Sequence, residues 1–478
     1  MLFNSLEFFV FFMIVTTVFF VIPHKFRWFH LLIASCYFYA AFVPIYILIL
    51  LGTIIIDYFA GIYIERTEGR KKKQLLILSI VANVGILFFF KYFNFFIDNI
   101  NSTASFFGTS ISLPLLTIIL PIGLSFHTFQ AMSYTIEVYR GNQKAEKHFG
   151  IYALYVLFYP QLVAGPIERP QNVLHQFHEK HKFSAENLWI GLRLMLWGLF
   201  KKVVIADRLS IFVDRVYDNP SVYHPAVLVL GTVFFAIQIY CDFSGYSDMA
   251  IGAAKTMGFN LMTNFNRPYF ATNIKHFWDR WHISLSSWFR DYVYIPLGGN
   301  RVAESKLYFN VAIVFILSGF WHGANWTFIV WGVLHTVYLL FFMIVSRNNG
   351  ASKSGSSSLF YKFSAWFLTF VFVCFAWIFF RATDLSSALG YIRSIVENFN
   401  LPFDFRIPPS GTKLGFGMFS YLISIVAVSI LFIFEYIVSP RFEERLSIKK
   451  DVILCGSLVV FIIFFGVFQK STFIYFQF

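Results

Sequence analysis

The sequence predicts an all-α integral membrane protein that crosses the bilayer many times. Of its 478 residues, 58% are hydrophobic, 21% are aromatic and only 13% are charged, whereas soluble domains carry about 25% charged residues. Apolar runs of spanning length, about 17 to 25 residues, recur along the chain. No stretch free of such runs is long enough for a separate soluble domain, so we expect one integral domain over residues 1–478.

Regular spans separated by short polar loops fill the first part of the chain. Basic clusters at residues 24–27 and 66–73 follow the first and third spans, while the loops after the second and fourth carry almost no lysine or arginine. Under the positive-inside rule this alternation places the N-terminus outside the cytoplasm. Residues 7–22 lack the flanks of a cleaved signal peptide, so we expect a retained span. The spans are predicted at residues 6–23, 28–45, 46–64, 74–93 and 115–137.

The middle of the chain, residues 150–299, is less regular. Three prolines and a glycine interrupt the apolar run at residues 159–170, and residues 271–300 are aromatic but too charged for a simple span. Broken helices are tolerated at membrane depth only where they are buried in protein or line a cavity. We therefore expect re-entrant or amphipathic pieces that shape a cavity here.

Ordinary spans return after residue 306. The charge and cysteine content of the chain indicate neither a nucleic-acid-binding protein nor a metal or disulfide site. The spans are predicted at residues 307–321, 324–345, 360–380, 415–438 and 451–469, with a polar flexible linker at 346–358 and a basic cytoplasmic loop at 441–450. The net charge of +13 lies in short clusters between apolar runs, so membrane topology explains it better than nucleic acid does. The cysteines have no disulfide or zinc spacing and are expected to be packing residues.

Two histidines, His282 and His322, lie in strongly aromatic surroundings. An ionisable group at bilayer depth is costly, so an intramembrane histidine is a functional hypothesis by default. His322 lies where one apolar run ends and another begins, beside small residues that let a substrate or a backbone come close. A neutral imidazole can take a proton from an attacking hydroxyl, which contributes about 10²- to 10⁴-fold to a rate. The alternative is a packed histidine that bonds a backbone carbonyl.

Other polar residues near these histidines have both functional and structural interpretations. Asn325 shares the face of His322 if the stretch is helical, and it can then orient the ring or contact an oxyanion. His282 lies among tryptophans and charged residues, a pattern also typical of inactive interfacial helices. Asp242 and Asp248 can bind a polar substrate or relay protons, or they can form a helix-breaking turn held by hydroxyls.

Several catalytic signatures are absent from the sequence. It contains no GxSxG, no Walker A motif, no HExxH and no His-x4-Asp. Serine hydrolase chemistry, ATP use and zinc catalysis therefore lack their usual sequence support.

Long ordered motifs of the chain resemble the membrane-bound O-acyltransferase superfamily, and within it the bacterial alginate O-acetyltransferase branch. The resemblance spans nearly the whole chain. It rests on Trp278-Asp-Arg-Trp-His282 and its continuation to residue 299, on Trp321-His-Gly-Ala-Asn-Trp326, and on residues 160–169, 240–248, 266–270 and 473–478.

This resemblance implies a ring of tilted helices with re-entrant segments around a central funnel. It implies that His322 is the essential catalytic histidine and His282 the second one, with no bound cofactor. Substrate contacts are expected from the other motif residues, namely Asp242, Asp248, Asn325, Trp321, Trp326 and Trp278. A thioester already carries its activation, so the protein must position two reactants and supply a base.

The partners implied by the resemblance are acetyl-CoA on the cytoplasmic side, membrane lipids, and an extracytoplasmic polysaccharide or an exported acetyltransferase partner. The expected location is the bacterial cytoplasmic (inner) membrane. Rival interpretations are a D-alanyl transferase for teichoic acids or a peptidoglycan O-acetyltransferase of the same family. A proton-coupled transporter, with the aspartates and histidines as the proton path, is the rival outside it.

Overall fold

The computed structural model describes residues 1–109, 112–118, 120–163, 165–348, 358–407, 415–437, 448–468 and 473–474. Within these residues the chain is helical, with no strand and one isolated antiparallel bridge between Ile407 and Phe416. Six helical stretches in this part of the chain are long and apolar enough to cross a membrane: Pro44–Arg66, Gly69–Phe106, Pro225–Thr256, Trp326–Arg347, Leu359–Arg381 and Met418–Ile437. The all-α polytopic prediction is confirmed. Most of the predicted linker and of the basic loop lies outside the described residues.

The chain divides into two compact units. Unit 1 contains Met1–Met195 and Ser247–Met262, and unit 2 contains Leu196–Tyr246 and Thr263–Phe478. Two helices, at Ala185–Phe200 and Pro225–Thr256, contribute residues to both units. That residues 1–478 act as one integral domain stays a prediction.

Five of the helices in unit 1 correspond to the five apolar runs that the sequence predicts as spans between residues 6 and 137. Ser5 caps the first helix, because its hydroxyl oxygen accepts the Phe8 N–H at 3.2 Å. A π-helical stretch at Phe88–Tyr92 joins the fourth helix to the fifth. The helices are α1 Leu6–Val21, α2 His24–Ala40, α3 Ile47–Arg66, α4 Gly69–Leu87, α5 Phe93–Phe106, α6 Leu124–Arg140, α7 Phe149–Leu157, α8 Tyr159–Leu162, α9 Pro170–Val173 and α10 Ala185–Phe200.

The predicted span at residues 115–137 is wrong over its first third, because α6 begins only at Leu124. The described residues of 112–118 are not helical and pass beside α5. Asn94 pairs with both backbone groups of Leu116 at 2.8 Å, and Asn101 pairs in the same way with Leu113 at 3.0 and 2.8 Å. These asparagine side chains replace the hydrogen bonds that a helix would supply.

Unit 2 contains the irregular middle of the chain and the later spans. The expectation of broken pieces at residues 271–300 is confirmed, since two short helices and a π-helical stretch at Arg290–Tyr294 occupy it. The helices that follow α10 are α11 Asp207–Asp218, α12 Pro225–Thr256, α13 Ile274–Trp278, α14 Ile283–Phe289, α15 Glu304–His322, α16 Trp326–Asn348, α17 Leu359–Arg381, α18 Leu385–Glu397, α19 Met418–Ile437 and α20 Ile448–Phe465.

Helices α15 and α16 pack closely because glycines face the partner backbone. A Cβ atom at Gly319 would lie 2.2 Å from the Phe328 carbonyl oxygen, and one at Gly332 would lie 2.4 Å from the Phe315 carbonyl oxygen. Any larger residue would push the helices apart, so small residues are required at these positions. Of the two roles expected for the small residues beside His322, Gly319 has the structural one, because it lets the backbone of α16 come close.

Candidate active site

His282 lies in the sharp turn between α13 and α14. Its backbone is left-handed, with φ 45°, a conformation uncommon for residues other than glycine but enriched in histidine and asparagine. The side chain is 1% exposed. The turn is held by Asn264, whose carbonyl oxygen accepts the Ile283 N–H at 2.9 Å.

The side chain of Asn264 sets the tautomer of His282. Asn264 Oδ1 accepts the Ser284 backbone N–H at 3.3 Å and the Ser284 hydroxyl at 2.9 Å, and it lies 3.1 Å from His282 Nδ1. Because a backbone amide only donates, this Asn264 atom is an oxygen, and Nδ1 of His282 must be the protonated donor. Nε2 of the neutral ring then carries the lone pair that a base requires.

Aromatic side chains from α12 and from the segment before α13 surround His282. The ring of Phe243 meets it edge-on with centroids 4.6 Å apart, and Phe265 stacks at 6.3 Å. Phe243 also contacts Phe473 near the end of the chain, at 5.7 Å. Residues of two motifs that are distant in sequence therefore form one wall of the His282 site.

His322 is the last residue of α15 and is 4% exposed. Its ring meets Trp331 of α16 and Phe380 of α17, with both centroid distances at 5.2 Å. Both of these aromatic side chains are fully buried. The junction of two apolar runs predicted around His322 is confirmed, and α17 supplies a third side of its surroundings.

Trp321 brings the two histidines into one cluster. Its ring centroid lies 5.1 Å from that of His322 and 6.1 Å from that of His282. No periodicity in the sequence indicates this proximity, because α14, a π-helical stretch, a loop and the length of α15 separate the two residues. We call His282, His322, Trp321 and their ring neighbours the histidine cluster.

The other motif tryptophans lie in different surroundings. Trp278 packs against Trp331 at 5.6 Å and donates its indole N–H to Nδ1 of His335 at 3.2 Å. His335 is fully buried on α16 and is a polar neighbour that the motifs did not single out. Trp326 is 49% exposed at the start of α16. A substrate role for either tryptophan stays a prediction.

Asn325 does not share a helical face with His322, so that expectation is wrong. Helix α15 ends at His322, and Asn325 lies in the turn before α16. Its Oδ1 accepts the Thr327 N–H at 3.0 Å, and its amide nitrogen donates to the Thr383 carbonyl at 2.6 Å. Asn325 therefore caps α16 and fixes the turn that follows the histidine.

Asp242 belongs to a buried ionic group in unit 2. Its Oδ1 lies 2.6 Å from the Lys202 ammonium, which is also 2.8 Å from Asp207, and the three side chains are 1–4% exposed. Its Oδ2 accepts the Ile474 backbone N–H at 2.8 Å. We call Asp242, Lys202 and Asp207 the ionic triad. Sequence reasoning missed Lys202, because the pairing joins residues 40 apart in different elements.

Asp248 lies in the part of α12 that belongs to unit 1. The helix continues without a break from Pro225 to Thr256, so the alternative of a helix-breaking turn at residues 242–248 is wrong. Six residues along a helix rotate two side chains to positions about 120° apart. Asp242 and Asp248 therefore lie on different faces of the same helix.

The described part of the chain contains no group of three or more His, Cys, Asp or Glu side chains placed to hold a metal ion. What the histidine cluster offers is a buried pair of imidazoles in an aromatic enclosure. One of them has its tautomer set by a hydrogen bond. Such a site can move a proton to or from a hydroxyl or a thiol.

Residues 148–388, which include both histidines, match the membrane-bound O-acyltransferase family. The chain belongs to this family. The O-acyltransferase is 40% identical over 394 residues to a peptidoglycan O-acetyltransferase from Helicobacter pylori, covering 77% of this chain and 73% of that protein.

Two further relatives of the O-acyltransferase bear on its substrate. It is 38% identical over 394 residues to a protein from Pseudomonas aeruginosa named "Probable alginate O-acetylase AlgI", covering 81% of this chain and 73% of that one. It is 30% identical over 274 residues to a teichoic acid D-alanyltransferase from Bacillus subtilis, covering 54% of this chain and 68% of that protein.

Proposed function

We propose that this O-acyltransferase moves an acetyl group from acetyl-CoA on the cytoplasmic side to a hydroxyl of an extracytoplasmic polysaccharide, directly or through an exported partner protein. The observation that carries the proposal is the convergence of His282 and His322 on Trp321 in a member of this family. The relatives named as acetyltransferases align over most of the chain, whereas the D-alanyltransferase aligns over 54% of it. Acetyl transfer is therefore favoured over D-alanyl transfer.

The proposed reaction needs one base and no net proton. An imidazole, assigned to His322, takes the proton of the acceptor hydroxyl as its oxygen attacks the thioester carbonyl carbon. The tetrahedral intermediate collapses, the C–S bond breaks, and the thiolate takes the proton to leave as free coenzyme A. His282, with Nδ1–H held by Asn264, presents a second nitrogen lone pair for orientation or proton transfer.

The aromatic enclosure supports the proposal energetically. Trp331 and Phe380 are fully buried beside His322, and an apolar wall excludes water that would otherwise hydrolyse the thioester. Holding donor and acceptor together at such a centre can supply about 7 to 11 kcal/mol of the barrier reduction.

The test is to measure acetyl groups on the surface polymers of cells that carry the wild-type chain, His322→Ala, or His276→Ala. His276 is an exposed histidine that precedes the His282 turn, and it serves as the matched control. We expect His322→Ala to lose polymer acetylation by at least about 10²-fold, while His276→Ala keeps it. Normal acetylation with the His322→Ala protein present in the membrane would reject the proposal, and loss of polymer export would favour a transporter.

The acceptor and the donor are decided by two further measurements. Acetyl content measured separately in exopolysaccharide and in peptidoglycan identifies the acceptor, since the relatives include enzymes named for each class of polymer. Proteoliposomes supplied with labelled acetyl-CoA test the donor. We expect label transfer only when acetyl-CoA faces the side that carries the basic cluster at residues 66–73, which the positive-inside rule assigns to the cytoplasm.

A further inference from the structure

A row of polar or small residues follows one face of α3 in unit 1. Thr53, Asp57, Gly61 and Glu65 recur every four residues, so they lie along the same side of the helix. Asp57 is fully buried, whereas Glu65 is exposed at the helix end that precedes the basic loop. The row therefore leads from a polar surface to a carboxyl group inside a candidate membrane span.

Neutral groups of α4 are the hydrogen-bond partners of Asp57. The Ser79 hydroxyl donates to Oδ1 at 2.6 Å, and the Asn83 amide donates to Oδ1 and Oδ2 at 3.0 and 2.8 Å. Ser79 also contacts the Thr135 hydroxyl of α6 at 3.1 Å. All four side chains are at most 1% exposed. No lysine or arginine among the described residues pairs with Asp57.

A buried carboxylate without a cationic partner is costly, so such a group binds a proton or a cation. The polar atoms around Asp57 already contact one another at 2.6–3.1 Å. Those separations are direct hydrogen bonds, and a metal ion among them would have to break them. The geometry therefore favours a proton over a sodium ion.

Further polar side chains lie along the α3 face on both sides of Asp57. His127 of α6 lies 3.3 Å from the Thr53 hydroxyl, and Tyr134 packs against Gly61. The ring of Tyr152 of α7 lies next to Tyr134, with centroids 4.4 Å apart. In the described part of the chain, three buried atoms along this face have no hydrogen-bond partner: His127 Nδ1, Asn83 Oδ1 and the Tyr152 hydroxyl.

We propose that Asp57 is a proton-binding site in unit 1. Its carboxylate binds a proton in the folded protein and releases it when the surrounding pH rises. In the protonated state the carboxyl is neutral and holds α3, α4 and α6 together through Ser79, Asn83 and Thr135. The titratable groups that face the site are Tyr134, Tyr152 and His127.

Infrared spectroscopy of the full chain in lipid tests this directly, because a protonated carboxyl and a carboxylate have separate C=O stretches. We expect the wild-type minus Asp57→Asn difference spectrum at neutral pH to contain a carboxylic acid band. Transfer to D₂O should shift this band, because deuterium replaces the bound proton. Ser79→Ala should also move the band, because it removes a hydrogen bond to the carbonyl oxygen. This second variant keeps Asp57, so the test remains informative even if Asp57→Asn does not fold.

The matched control is Glu397→Gln, which removes an exposed carboxylate that pairs with Arg393 at 2.7 Å. Its difference spectrum should lack the carboxylic acid band. A wild-type spectrum without that band at Asp57 would overturn the proposal, as would a band that fails to respond to D₂O. The remaining alternative is that a sodium ion, and not a proton, neutralises the carboxylate. It is tested by measuring thermal unfolding after choline replaces sodium. A midpoint that falls in the wild type but not in Asp57→Asn would show that sodium is bound, and it would overturn the proposal.

Discussion

Asp57 of unit 1 and Asp242 of unit 2 show two ways to bury a carboxylate in an apolar helix. Asp57 is fully buried and Asp242 is 3% exposed. The partners of Asp57 are a hydroxyl and an amide, whereas Asp242 faces a lysine that also binds Asp207. In the ionic triad one ammonium lies between two carboxylates and offsets part of their negative charge. The Asp57 group has no such counter-charge among the described residues and is suited to gain and lose a proton.

The difference matters because the two groups respond differently to the loss of one partner. Removing one member of a buried ion pair leaves an uncompensated charge and costs about 3 to 5 kcal/mol. Removing one donor to a buried acceptor costs about 1 to 3 kcal/mol. The stability losses caused by substitutions in the two units should therefore show which buried carboxylate is stabilised by a charged partner and which by neutral hydrogen-bond donors.

Lys202→Met should have the largest effect on stability. It leaves Asp207 and Asp242 without the ammonium that lies between them, so we expect a loss of about 3 to 5 kcal/mol in the free energy of unfolding. Unfolding of the purified chain in detergent measures this. Adding Asp207→Asn and Asp242→Asn to this variant should restore most of the lost stability, because it removes the two uncompensated charges. A triple variant as unstable as Lys202→Met alone would show that the lysine does not act by offsetting these charges.

Ser79→Ala should have an intermediate effect. It removes the donor at 2.6 Å from Asp57 and leaves a small space beside a buried oxygen, so we expect a loss of about 1 to 3 kcal/mol. The same unfolding measurement applies. Ser457→Ala is the control, since its hydroxyl bonds only the carbonyl of Ile453 on an exposed face of α20, and it should change little.

Asp57→Asn should have the smallest effect, about 1 kcal/mol or less, because an amide replaces a neutral carboxyl of the same shape. Asp242→Asn should cost more, since it removes a charge that Lys202 faces. Equal losses for the two substitutions would mean that Asp57 is ionised in the folded state.

Much of the fold follows from local signals in the sequence. Apolar runs predicted most spans, and the charges among aromatic residues at 271–300 predicted the broken segment that contains His282. The non-helical residues at 112–118 were missed because Asn94 and Asn101 of α5 hydrogen-bond to their backbone. The continuity of α12 through Asp242 was missed because local Asp and Ser chemistry favours a turn, whereas Lys202 and close packing at Gly245 stabilise the helix.

The candidate site was predictable only as a set of residue types. The motifs named His282 and His322, but neither their meeting at Trp321 nor the role of Asn264 is encoded by spacing. Asn264 lies 18 residues before His282 and reaches it through the fold. Asn325 was assigned to a helical face because its offset from His322 fits one, and the end of α15 at His322 removes that face.

The left-handed backbone at His282 decides how the role of that residue can be probed. A β-branched substitute would be strained at φ 45°, at a cost of about 1 to 3 kcal/mol, and any loss of activity would mix a distorted turn with a missing base. Asparagine accepts this conformation. His282→Asn therefore removes the imidazole while leaving the path of the chain intact, and it is the replacement from which chemistry alone can be inferred.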